Sequence, residues 1–125
     1  MIRIPLYNLI IYIKVYSSFD ALKKGYFQHI KRYRIVEEDN LNSHFAAAII
    51  VPPNQIDKTY LLLQKDFLDY NTITHEVYHL TNRILYHQGV TFNIIDDEPF
   101  AILNGYLNQE VINYLQKKKF INGNQ

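Results

Sequence analysis

Residues 75 to 79 read His-Glu-Val-Tyr-His, an HExxH motif. On a helix, His75 and His79 stand one turn apart on the same face and can direct two imidazole nitrogens at one divalent ion. Glu76 follows the first of these ligands but points round the helix, where its carboxylate can reach an activated water instead of occupying the metal. Zinc in such a site would polarise that water and a substrate carbonyl, while Glu76 accepted the water proton and passed it to the leaving amine. The spacing therefore predicts a zinc site on His75 and His79, with Glu76 as general base.

A catalytic zinc usually has three protein ligands and one open position. Glu98, nineteen residues after His79, is the best candidate for the third, because that separation lets one helix end and the chain turn back into another. Asp96 and Asp97 compete for the role, or else cap the second helix and orient a ligating imidazole. Ala101 is expected to keep the inner face of the second helix thin near the metal. Tyr106, two turns after Glu98, is a candidate to support the developing oxyanion. Against this stands a bland reading, surface histidines or a polar packing seam. The three motif residues fall at these offsets by chance in about one chain per hundred of this composition.

The elements that must position these groups are legible in outline. Residues 72–87 carry Ile73, Val77, Leu80 and Ile84 at spacings of four, three and four, one packed helical face. Asp69 or Asn71 can cap its start, and Gly89 signals its end. A final helix is predicted over residues 98–118, with Pro99 in its first turn and Ala101, Ile102, Leu107, Val111, Tyr114 and Leu115 on its apolar face. Earlier, residues 6–16 favour a strand, and Asp20 can cap a short helix to about residue 32, although Gly25 weakens it. Residues 37–40 read as a loop. Strands are expected over 44–51, stopped by Pro52 and Pro53, and over 59–64. His44 is expected to be partly buried and hydrogen-bonded rather than to contact a ligand, His29 and His87 to be solvated, and Tyr78 and Tyr86 to pack at the core or its rim in preference to lining a cleft.

HisGluValTyrHis followed by GluProPheAla resembles the zincin clan of zinc metallopeptidases, and within it the gluzincin arrangement, whose third ligand is a Glu from a following helix. Small intracellular and phage-encoded proteins with HExxH followed by ExxA are similar. The resemblance covers roughly residues 66–115 and implies zinc on His75, His79 and Glu98, with Glu76 as general base. It also implies an edge strand that holds extended peptide, a role falling to residues 59–64 or, preferably, to His44, Phe45, Ala46, Ala47, Ala48, Ile49, Ile50 and Val51, where three Ala leave a shallow groove. The metzincin extension is absent, since Asn82 and Leu85 occupy the positions of its Gly and last His. The sequence around Glu98 also differs from that of thermolysin-like enzymes.

With 125 residues, 48% of them apolar and 20% charged, the chain fits one α+β domain over residues 1–125: a minimal zincin-like unit of a small mixed sheet, an HExxH helix and a C-terminal helix. A net charge of +1 gives no general attraction to nucleic acid or an anionic membrane, and Lys117, Lys118 and Lys119 suit the end of a helix. The chain has no cysteine, which excludes disulfides and thiolate metal sites. Its apolar N-terminus is broken by Arg3, Asn8 and Lys14, unlike a secretory signal, so a cytoplasmic setting in a bacterial or phage-infected cell is expected. The function expected is a zinc-dependent peptidase or peptidase-like hydrolase acting on peptide or protein, its cleft open or completed by a protein partner. The alternative is a non-catalytic, zinc-stabilised phage assembly or regulatory protein.

Overall fold

The computed structural model describes residues 1–35, 47–53, 57–90 and 95–122. The chain is α+β, with a small mixed sheet and a long C-terminal helix, and divides into two compact units at residues 68 and 69.

In the first unit, β1 (Ile2–Ile4) and β2 (Leu9–Tyr16) form an antiparallel hairpin with Ile2 opposite Ile11. A single 3-10 turn over Pro5–Tyr7 joins them, and Asn8 leaves it at φ 49°, a left-handed conformation that Asn tolerates better than most residues. One continuous strand from residue 6 is therefore replaced by a turn and a shorter strand. β4 (Lys58–Gln64) lies parallel to β2, which requires the crossover supplied by α1 (Phe19–Tyr33) and β3 (Ala47–Ile50). The strand order is β1-β2-β4-β3, so β4 is central and β3 an edge strand. Leu61, Leu62 and Leu63 are all buried, the continuous apolar run of a strand covered on both faces.

Ser18, not Asp20, caps α1, its Oγ accepting the Ala21 N–H at 3.1 Å. Leu22 and Tyr26 pack on Ala48, Ile50 and Leu62 of the sheet. Gly25 runs through the middle of this helix because the ring of Tyr16 lies against it: a Cβ there would sit 2.6 Å from Tyr16 Cζ. His29 Nδ1 lies 2.8 Å from the carbonyl oxygen of the same glycine. His29 is buried rather than solvated, its ring centroid 4.7 Å from that of Tyr60. Tyr60 in turn stacks on Tyr12, and its hydroxyl is 2.8 Å from that of Tyr33. Burial and that hydrogen bond push the Tyr60 hydroxyl up to about 12.

The second unit holds α2 (Tyr70–His87) and α3 (Glu98–Lys117). Asp69 caps α2 by accepting the Thr72 N–H at 2.7 Å, a bond that holds its carboxyl below the usual range. At the other end Val90 N–H reaches Leu85 O at 2.9 Å and Gly89 N–H reaches Tyr86 O at 3.1 Å, with Gly89 at φ 75°. This is the paired closure in which a left-handed residue ends the helix, and glycine takes that conformation without strain. Ile73, Val77, Leu80 and Ile84 are all buried, as their spacing predicts.

On α3 the buried stripe is Leu103, Leu107, Val111 and Leu115, at intervals of four. Ala101 and Ile102 are exposed, contrary to the expected apolar face, because the stripe that includes Leu103 leaves them on the far side. Burying a leucine such as Leu107 stabilises the unit by about 1.5–3 kcal/mol. Thr81 adds a polar tie, donating to Val77 O at 2.7 Å and lying 3.2 Å from Asn104 Oδ1 of α3. Among the described residues, no helix is long and apolar enough to cross a membrane.

Candidate metal centre

All five motif residues lie on α2, well inside its caps. The buried stripe of the helix turns His75 and His79 outward, and both are exposed. Their Nε2 atoms stand 3.2 Å apart and their ring centroids 4.8 Å apart. Two nitrogens bonded to one tetrahedral zinc at about 2.0–2.1 Å lie about 3.3 Å from each other, so the pair already has the separation a shared ion requires. In the metal-free chain the same contact serves as an N–H···N hydrogen bond, one ring carrying its proton on Nε2. With that proton on Nδ1 instead, both Nε2 lone pairs are available to a metal.

Glu76 is half-buried on the side of α2 nearer its packed face. Burial pushes its carboxyl up, and the neighbouring His75 and His79 partly draw it back. A carboxylate raised in this way, within electrostatic reach of both imidazoles, is a stronger base than a fully solvated one.

Glu98 opens α3, is exposed, and lies two residues before Phe100, about 200° round the helix. Phe100 is the residue that meets α2: its ring stands 5.2 Å from that of Tyr78, edge to face, and Tyr78 lies 5.8 Å from the ring of His79. The structure thus brings His75, Glu76 and His79 together and leaves Glu98 apart from them. Among the described residues, no three His, Asp or Glu side chains gather where one ion could bind. Asp96 accepts the Glu98 N–H at 3.4 Å, whereas Asp97 occupies the N-cap position without a side-chain cap bond. Both line a cleft of about 560 Å³ with Asn82, Tyr86, Pro99 and Phe100. Tyr106 turns to Glu110, and burial together with that carboxylate raises its hydroxyl, so it is engaged one turn along its own helix.

Of the strand expected to hold peptide, Ala47–Ile50 form the edge strand β3, while His44, Phe45 and Ala46 lie outside the described residues. Tyr78 and Tyr86 are 51% and 77% exposed, which removes them from the core; Tyr78 packs edge-on against His79, and Tyr86 lines the cleft. Asn82 and Tyr86 line the cleft, Tyr86 as the alternative to core packing that its sequence position allowed. They follow His79 by three and seven positions, so helical spacing alone continues the imidazole face through them.

No family model, curated protein or solved structure matches this chain.

Proposed function

We propose that the chain is a zinc-dependent peptidase or peptidase-like hydrolase of minimal zincin-like build. The observation that carries this reading is the 3.2 Å separation of the His75 and His79 Nε2 atoms beside a half-buried Glu76. His75 and His79 would hold the ion; the gluzincin resemblance implies Glu98 as a third ligand, although it stands apart from the pair at the start of α3. Bound there, zinc would supply Lewis acidity toward a substrate carbonyl and an acidified water. The Glu76 carboxylate accepts the proton from water and returns it to the departing amine nitrogen, and its partial burial strengthens it as a base. The substrate class is peptide or protein, with room for a protein partner to complete the cleft.

The test is hydrolysis of a peptide library by the full chain with one equivalent of zinc. Cleavage that a chelator abolishes and added zinc restores is the expected result. A folded, zinc-loaded chain that cuts no member of the library would remove the enzymatic reading.

One observation favours a second reading, a non-catalytic zinc-stabilised assembly or regulatory protein. The imidazole pair is exposed, and among the described residues no third acidic or imidazole group joins it. In that case zinc raises the melting temperature without any turnover.

A further inference from the structure

The exposed face of α2 has a pattern of its own. Asn71, His75, Tyr78 and Asn82 follow one another at spacings of four, three and four, with His79 and Tyr86 beside them. That is the spacing of a seam along which two helices meet. Asn82 is partly covered and the other five are exposed. None of the six is itself Lys, Arg, Asp or Glu, and the charges that border the seam beside Asn82 and Tyr86, Arg83 against Asp96 and Asp97, are of both signs. The seam also carries the incomplete metal site: two imidazoles at tetrahedral spacing, with no further ligand gathered among the described residues. A second copy placed by a two-fold axis through the ion presents the same pair, and four imidazoles fill a tetrahedral zinc.

We propose that this face of α2 is the contact surface for a second copy of the chain, joined through one zinc shared by His75 and His79 of both. The inference rests on the reading that this pair binds zinc. It adds a regulatory consequence: the shared ion has no open position, so the joined form is the inactive one and hydrolysis belongs to the single chain with its own zinc. Supply of zinc relative to chain then decides between the two forms.

The experiment is sedimentation or light scattering of the metal-free full chain titrated with zinc. At half an equivalent the mass is expected to double from 14.9 kDa, and at several equivalents to return to that of one chain. Asn82→Lys retains both histidines, adds no carboxylate that could ligate zinc, and sets like charges across the seam. It is expected to weaken zinc-dependent pairing at least tenfold while leaving one-to-one zinc binding in place. His79→Ala is expected to abolish pairing. Zinc bound one to one by chains that stay single at half an equivalent overturns the proposal and spares the zinc site. So does pairing that persists in His79→Ala. No zinc binding at all overturns both.

Discussion

Glu76→Gln is expected to lower peptide hydrolysis by about 10²–10⁴-fold, or roughly 3–5 kcal/mol of transition-state stabilisation, while zinc affinity changes little. Glutamine keeps the shape of the side chain and loses the oxygen that accepts a proton. Because His75 and His79 hold the ion in this reading, the variant separates proton transfer from metal binding. Hydrolysis rates and zinc titration of the same preparation check it, and equal rates for the two proteins would remove Glu76 from the chemistry. The same variant has a signature without metal. Burial raises the Glu76 carboxyl in the fold, so around that range the native chain binds more protons than the unfolded one. Stability associated with this group is therefore full below its unfolded value and is lost as pH rises through its folded value. Metal-free Glu76→Gln should melt above the wild type at neutral pH, and the difference should close on acidification.

The second large effect falls on the ligands. Replacing His75 or His79 by Ala is expected to weaken zinc binding at least about 100-fold, more than the loss of groups that only orient a ligand. Either substitution removes one of two nitrogens held at 3.2 Å. Both side chains are exposed and lie opposite the buried stripe, so the helix content of the variants should match that of the wild type. A competition titration with a chromogenic chelator measures the loss. Retention of affinity in both single variants would show that the ion sits elsewhere.

The contrast between α2 and α3 shows how much the sequence carries. For α2 the apolar spacing, the Asp69 cap and Gly89 agree, and the observed helix begins two residues before the expected start and ends at the expected residue. On α3 residue type misled. Ala101 and Ile102 are apolar, but a stripe of every fourth residue through Leu107 and Val111 selects Leu103 and turns them out. Gly25 argued against α1 on propensity, yet the helix passes through it because Tyr16 occupies the space of its missing side chain. The β1–β2 hairpin turns at Pro5–Tyr7 and Asn8, where the apolar pattern alone suggests one continuous strand. The parallel pairing of β2 with β4 depends on a distant segment.

The site divides along the same line. His75, Glu76 and His79 belong to one helix, so spacing alone brings them together. Where Glu98 lies depends on how α3 enters its first turn. There the contact of Phe100 with Tyr78 sets the facing side, and no sequence period reports it.

The most direct test is X-ray absorption at the zinc edge of the full chain loaded with zinc, compared with His75→Ala and His79→Ala. The account predicts at least two imidazole nitrogens at about 2.0–2.1 Å from the ion in the wild type and loss of that signal in each variant. A zinc shell without imidazole, or one unchanged by either substitution, would contradict it.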